Sequence, residues 1–318
     1  MPAPLTHEYL SGRYQFIGTV VLETGLHIGS GRSSTLTDSP VMRTAQNVPY
    51  IPGSSFKGAL RSAVERLAPN LHHLQPPVTS CQLIERGDVA CLTVTPELRE
   101  RLQKLQEDCD TAQRTGQSYH RVATSDHVRY VLQQQIGTEE GVRTLTFTRH
   151  LPYRFIAHHL CDTCKLFGAP VFAAKVRVSD LPCREPWVEM TEIRDGVGID
   201  RDTETARAKI KFDLEVVPAQ TTFMFRLDAE NLTVRDLGLL CIGLQEFRAG
   251  LVPLGGRSTR GLGQCQLVLS DIYSVDLADS TALVRYLTAA NPTERMTRHD
   301  PAAFILERVR AMLAEGHG

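Results

Sequence analysis

A run of β-branched and aromatic residues, Arg13 to Thr24 (RYQFIGTVVLET), stops at Gly25 and is followed by a glycine-rich loop and a helix pattern. No other feature restricts the fold as much. The helix pattern spans Ser55 to Ala68, with Phe56, Leu60, Val64 and Leu67 on one stripe and Pro69 closing it. Strand, loop and helix make the first half of an α/β unit. Later, the pattern resumes at Leu166-Phe167-Gly168 and the alternating Val171 to Val178, closed by Asp180 and Pro182. Phe212 to Val217 and Thr221 to Leu227 flank Pro218-Ala219-Gln220 as an expected antiparallel pair. Thr233 to Arg248 places Leu237, Leu240, Cys241 and Leu244 at helical spacing, with Gly250 set to end the helix, and Gln264 to Leu269 alternates again. Two split strand-and-helix units with insertions predict an α+β fold built on a ferredoxin-like sheet.

The remaining segments interrupt or extend this pattern. Pro69 to Leu160 repeats none of the earlier motifs and contains Pro76-Pro77 and a charged helical run from Pro96 to Gln113, so it reads as an insertion, 69–160. Glu189 to Lys211 mixes Arg194, Arg201, Arg207, Lys209 and Lys211 with Asp195, Asp200, Asp202 and Glu204 around Gly196 and Gly198, which suits a long exposed hairpin. The tail has two helical runs, near Leu277 to Ala289 and Pro301 to Leu313, whose apolar faces require a partner surface.

With 318 residues, 42% of them hydrophobic, the chain can bury a real core in one large domain or two small ones. A formal charge of −1 argues against indiscriminate electrostatic binding, yet charge is unevenly spread. Arg248 to Gln264 holds three arginines and no acid, whereas Cys81 to Asp110 holds seven acids against four bases. The start, MPAPLTHEYL, lacks a basic segment followed by an apolar core, and no run approaches the roughly 18 apolar residues of a membrane span. The expected location is cytoplasmic, with no membrane partner. Eight cysteines there read as thiols or metal ligands rather than disulfides.

The stretch from Leu26 to Leu67 concentrates the chemistry. Gly29 and Gly31 allow close backbone approach and positive φ, Arg32 and Arg43 supply charge, and Ile51-Pro52-Gly53-Ser54-Ser55 is expected to launch a Ser-capped helix with outward N–H groups that suit an anion. Lys57 and Arg61, four residues apart, share a face of that helix. GSGRSS matches neither the phosphate-loop pattern nor the dinucleotide fingerprint, and alone it fits a tight turn as well as an anion cradle. A second loop, Gly255-Gly256-Arg257-Ser258-Thr259-Arg260-Gly261, lies at another strand and helix junction. If the two converge, they form a phosphate-gripping edge. Asp38, the lone acid among these donors, is the candidate for chemistry; before Ser39-Pro40 it also suits an Asx-turn. His27, between Leu26 and Ile28, suits a core histidine at a strand edge or a proton shuttle. Lys57 and Arg61 also fit a solvated helix face.

The ordered set GLHIGSGR, DSPVMR, PYIPGSSFKGALR, CKLFGAP and GGRSTRGLG resembles the RAMP superfamily, and more narrowly the repeated backbone subunit of type III CRISPR interference complexes. The likeness covers most of Arg13 to Leu269. It implies an RNA-recognition-like palm made of residues 1–68 and 161–272, a thumb hairpin at about 188–212, and a helical extension at 273–318. Such subunits stack along a guide CRISPR RNA beside other RAMP subunits and the large subunit of the complex. Many cut the paired single-stranded target RNA, and the family's catalytic aspartate maps onto Asp38. The resemblance thus implies an endoribonuclease, with catalytic Asp38 and His27, and RNA contacts from Gly29, Gly31, Arg32, Arg43, Ser54, Ser55, Lys57, Arg61, Arg194, Arg201, Gly255, Gly256, Arg257, Ser258 and Arg260. Asp38 would take Mg²⁺, which needs only one or two carboxylates beside phosphate oxygens and water. Attack by a 2'-hydroxyl would leave a cyclic phosphate and a 5'-hydroxyl. A catalytically silent guide-binding subunit and a processing ribonuclease acting on precursor RNA are the alternatives within the family, and a small nucleotide-binding enzyme lies outside it.

Cys161-Asp162-Thr163-Cys164 precedes Lys165-Leu-Phe-Gly as half of a zinc knuckle seen in some RAMP proteins. Zinc prefers four ligands. Cys81 and Cys91 are candidates for the other two, with Cys109, His158 and His159 as rivals, and purely structural thiols are the alternative. Cys183, Cys241 and Cys265 lie in apolar or strand patterns and read as core.

Overall fold

The computed structural model describes residues 9–31, 37–81, 160–169, 172–184, 187, 191–199, 206–291 and 294–314, with only the backbone course at 197–199 and 206–211. Nearly all of the 69–160 insertion therefore lies outside the described residues, as do Arg32, Arg201, Cys91, Cys109, His158 and His159.

The main sheet has five strands in the order β3-β7-β1-β8-β9, and every neighbouring pair is antiparallel. These strands are β1 (Gly12–Leu22), β3 (Val176–Val178), β7 (Thr222–Glu230), β8 (Cys265–Asp276) and β9 (Thr297–His299). Helix α1 (Gly53–Leu67) follows β1, and helix α3 (Val234–Arg248) joins β7 to β8. Without β9 the plan is β-α-β-β-α-β with sheet order second-third-first-fourth, the split arrangement of ferredoxin-like folds. Alternation in the strands is the cause of the layering. Phe16, Val20 and Leu22 of β1 and Phe223, Phe225, Leu227 and Ala229 of β7 all turn to one face, where they are fully or almost fully buried. Phe56 of α1 fills the layer between, stacked on Phe247 of α3 at 4.4 Å between ring centroids and tilted against Phe225 at 4.9 Å.

Other elements attach to this core. A short helix α2 (Asp162–Phe167) packs beside α1, and the tail contributes α4 (Ser280–Thr288), β9 and α5 (Pro301–Ala314). Helix α5 lies so close to α3 that a Cβ at Gly238 would stand 2.5 Å from the Met312 Cβ. The tail is therefore more than a pair of helices, since β9 extends the sheet beyond β8. A two-stranded hairpin, β5 (Glu192–Ile199) and β6 (Ala206–Val216), stands apart from the main sheet, and β2 (Tyr50–Ile51) pairs only with β4 (Leu181–Pro182).

Two expectations are corrected. Helix α1 is not capped by serine: Pro52 occupies the cap position without a side-chain bond, and the Gly53 N–H donates to Asp180 Oδ1 at 2.8 Å. Glycine is required there because a Cβ would sit 2.3 Å from the Val178 carbonyl oxygen. The strands flanking Pro218-Ala219-Gln220 do not form a ladder with each other. Strand β6 pairs with β5 while β7 pairs with β1 and β3, because the inward side chains of β7 belong to the main core and Leu214 and Val216 of β6 pack in a separate cluster with Leu262.

The core also encloses an ion pair. Lys175 Nζ lies 2.6 Å from Asp236 Oδ2, both side chains almost fully buried, and Asp236 completes a reciprocal cap with Thr233 at the start of α3. Replacing Lys175 by Met would strand the aspartate charge, so Lys175→Met is expected to lower unfolding free energy by about 3–5 kcal/mol, read from urea denaturation. A loss below 1 kcal/mol would show that the pair is dispensable.

Candidate functional site

Beyond β1 the chain makes paired contacts instead of a free loop. Leu26 exchanges two backbone hydrogen bonds with Val217, at 2.9 and 2.8 Å, and Ile28 and Ser30 bond to Met42 and Pro40 at 2.9 Å each. The late loop is pinned to the same segment, since the Gly256 N–H donates to the His27 carbonyl at 2.9 Å and the Gly263 N–H to Gly25 at 2.8 Å. The two glycine loops therefore meet at His27. Gly255, at φ +75°, has no alternative: a Cβ there would lie 2.4 Å from the His27 carbonyl oxygen.

His27 is buried, with both ring nitrogens engaged. Nδ1 is 2.7 Å from the Glu215 carbonyl, which can only accept, so Nδ1 carries a proton. In the neutral ring Nε2 then accepts from the Ser39 hydroxyl at 3.2 Å. Asp38, immediately before Ser39, is exposed, and its Oδ2 accepts the Asp213 N–H at 3.2 Å. Thr37 donates its hydroxyl to the Asp213 carbonyl at 3.1 Å, and the Glu215 N–H donates to the Ser39 carbonyl at 3.0 Å. Three consecutive residues, 37 to 39, are thus tied to the end of β6.

Glu215 is the residue that sequence reasoning missed. Besides its two backbone bonds, its carboxylate accepts the Val41 N–H at 2.8 Å, an Arg43 guanidinium nitrogen at 2.6 Å and the Thr191 hydroxyl. Burial alone would raise its pKa, but the hydrogen bonds from Thr191, Arg43 and Val41 outweigh this and hold it below the ordinary carboxylate value. Arg43, expected to grip RNA, spends its guanidinium on Glu215, Thr191 and the Asn47 carbonyl. An isolated acid in the alternating run Phe212 to Val217 gave a weak signal; only its position opposite Leu214 and Val216 in the alternation marked it as facing another element.

The other expected RNA contacts divide into three groups. Arg257, in a left-handed conformation, lays its guanidinium 4.3 Å from the centre of the Phe212 ring, which also packs against Gly196, where a Cβ would stand 2.2 Å from the ring. Gly31, Ser258 and Arg260 are exposed near the loop tips, and Arg194 on β5 is exposed beside Glu192, 3.0 Å away. Ser54 and Lys57 line an open groove of about 790 Å³ together with Arg177, Val178 and Glu230, while Ser55 is half-buried. Burial, and next the charge of Arg61, lower the Lys57 pKa from its ordinary value.

Arg61 turns instead towards the cysteines. Cys81 Sγ lies 3.6 Å from Cys161 Sγ and 3.4 Å from Cys164 Sγ, and the three sulfurs all lie within 4.8 Å of one another. Among the described residues this is the one group of three or more candidate ligands so close together. The separations far exceed a disulfide bond and approach the roughly 3.8 Å edge of a tetrahedron with Zn–S bonds of about 2.3 Å. Cys241 and Cys265, by contrast, are core thiols whose pKa burial pushes up to about 12. Among the described residues no helix is long and apolar enough to cross a membrane.

The main sheet has the split ferredoxin-like plan, and its two glycine loops meet at His27. The chain belongs to the RAMP superfamily, whose description it matches over residues 19–266. It is similar to three proteins named CRISPR system Cms endoribonuclease Csm3. The one from Methanocaldococcus jannaschii is 48% identical over 61 residues, 18% of this chain and 24% of the relative. Those from Methanothermobacter thermautotrophicus and Enterococcus italicus are 43% and 40% identical over 56 and 58 residues, covering 16% and 17% of this chain and 23% and 27% of theirs. The aligned stretches thus span about a quarter of each relative's length.

Because the folded pKa of Glu215 is depressed, the stability it contributes is complete above its ordinary value of 4.5 and is lost as pH falls through the folded value. Wild type should therefore lose melting temperature more steeply below pH 4.5 than Glu215→Gln, when the two are compared by thermal scans across acidic pH. Parallel curves would contradict the anchoring role.

Proposed function

We propose that the chain is a guide-RNA-binding backbone subunit of a type III CRISPR effector complex and that it cleaves guide-paired single-stranded RNA in a metal-dependent reaction at Asp38. The observation that carries this reading is the exposed carboxylate of Asp38, which accepts the Asp213 N–H of β6 beside Ser39, whose hydroxyl bonds to His27, where the two glycine loops meet. Membership of the RAMP superfamily and the Csm3-like segments supply the substrate class. The palm would hold the guide by backbone and shape, with the β5–β6 hairpin as the thumb, and base pairing would supply sequence specificity.

Asp38 suits a divalent cation because it is exposed and, among the described residues, its carboxylate has one hydrogen-bond partner, a backbone N–H. A bound Mg²⁺ would supply charge stabilisation at phosphorus and a hydroxide-like acceptor for the attacking hydroxyl's proton. His27 is too buried to meet the substrate directly; it fixes Ser39, and with it the backbone of Asp38. The exposed Arg260 and Ser258 of the late loop, and Ser54 and Lys57 at the groove, would meet guide phosphates.

The three clustered thiols suit zinc; the fourth ligand would come from Cys91 or its rivals Cys109, His158 and His159, all outside the described residues. When bound, the metal would fasten α2 and the segment around Cys81 to the palm.

Asp38→Ala should reduce target cleavage about 10²–10⁴-fold in the assembled complex while guide affinity stays within twofold. Undiminished cutting would remove Asp38 from the chemistry; in a chelator and on precursor RNA, it would favour a processing ribonuclease. For the cysteines, elemental analysis of the double variant Cys161→Ser, Cys164→Ser should show zinc falling from about one ion per chain to background. Unchanged content would exclude this site.

A further inference from the structure

We infer that Arg61 is a positioning residue for the cysteine site, donating to a metal-bound thiolate, and is not an RNA contact. The inference rests on the zinc reading of Cys81, Cys161 and Cys164. Arg61 lies on the same helix as the groove residues Ser54 and Lys57, and its spacing from Lys57 invites assignment to the same phosphate grip. The contacts place it elsewhere. One terminal nitrogen, Nη2, is 3.3 Å from Cys164 Sγ; the other, Nη1, donates to the Gly168 carbonyl at 3.0 Å; and Nε donates to Glu65 Oε1 at 2.7 Å. All three guanidinium nitrogens are occupied, and the side chain is only 24% exposed.

The sulfur group has the donors that thiolates require. The Cys164 N–H points to Cys161 Sγ at 3.4 Å, Thr163 places its hydroxyl 3.2 Å from the same sulfur, and Arg61 adds a cationic donor, on Cys164. Three or four thiolates around one Zn²⁺ leave a net negative charge in a mostly buried place, and a guanidinium hydrogen bond offsets it while fixing the orientation of the sulfur. The Gly168 carbonyl anchors the other side of the fork. Gly168 itself, at φ +90° and with only 3.0 Å between a hypothetical Cβ and Ala174, is the residue at which α2 ends. Arg61 thereby bolts the CxxC turn and the end of α2 to the middle of α1, one helical turn beyond Lys57.

The test uses the full-length protein and zinc itself, with a chromophoric chelator as competitor, on wild type, Arg61→Gln and Arg61→Lys. Loss of an outer donor weakens metal affinity by about 10–100-fold. Arg61→Gln should show a loss in that range, and Arg61→Lys, which keeps the charge but not the fork, a smaller one. In parallel, guide RNA affinity is measured against salt. A lost phosphate contact lowers the slope of log K against log salt by about 0.7 for single strands. Lys57→Gln should show that change and Arg61→Gln should not. If Arg61→Gln lowers the salt slope and leaves zinc affinity unchanged, Arg61 is an RNA contact and the inference is overturned. If Arg61→Gln does not fold, Arg61→Lys decides by the same two readouts. A wild type that retains no zinc removes the cysteine-site reading and this inference together, whereas zinc retained equally by all variants removes the inference alone.

Discussion

Strand β1 is hydrogen-bonded along both edges, to β7 for nine residue pairs and to β8 for eleven, and the candidate site hangs from its exit. A strand held in this way cannot shift register without exposing Phe16, Val20 and Leu22, so the position of Gly25 and everything after it is set by the core. From there the backbone of residues 25 to 30 is taken up by three different partners: Val217 at the end of β6, the 40–42 segment, and the Gly256–Gly263 region. The last of these could not approach His27 so closely if residue 255 had a side chain. At Gly255 a Cβ would collide with the His27 carbonyl at 2.4 Å, and at Gly263 with the Leu254 carbonyl at 1.9 Å, so glycine both admits the late loop to His27 and closes that loop on itself.

Charge burial follows the same logic at two depths. The Lys175–Asp236 pair is fully enclosed and satisfied by the cap at Thr233, so it fixes how α3 meets the strand β3 region and takes no part in recognition. Glu215 is half-buried at the base of the hairpin, where one carboxylate joins the 41–43 segment through Val41 and Arg43 and the other side of the hairpin through Thr191. With its backbone bonds to His27 and Ser39, it links the hairpin and the Asp38 segment into one unit.

Much of this was legible in the residues. The strand and helix order, the glycine loops and their convergence follow from periodicity and from a topology that puts the loops at one edge of the sheet. What the chain did not disclose was which cations are already engaged. Arg43 and Arg61 look like their exposed counterparts in sequence, because a salt bridge or a sulfur partner from a residue more than one hundred positions away leaves no local trace. The serine cap failed for a related reason: Ser54 and Ser55 are good capping residues, but Asp180 from a distant turn reaches the first helical N–H, and Pro52 already sets the entry angle. The expected pairing across Pro218-Ala219-Gln220 failed because a short link between two strands signals a hairpin locally, while the buried faces of the two strands belong to different clusters.

The engaged cations bear on how such a surface can hold a polyanion. Arg43 is neutralised by Glu215, Arg257 lies flat on Phe212, and Arg177 at the groove is paired with Glu230 at 2.6 Å. An overall charge of −1 offers no long-range attraction to compensate. On the proposed reading, attraction to phosphate would draw on short-range groups among the described residues: exposed loop cations such as Arg260, the hydroxyl of Ser54, and backbone N–H groups left accessible by glycine at the loop tips. These act only when a backbone of the right curvature is already seated. On the proposed reading, a surface of this kind would favour the shape of an ordered guide over loose polyanions.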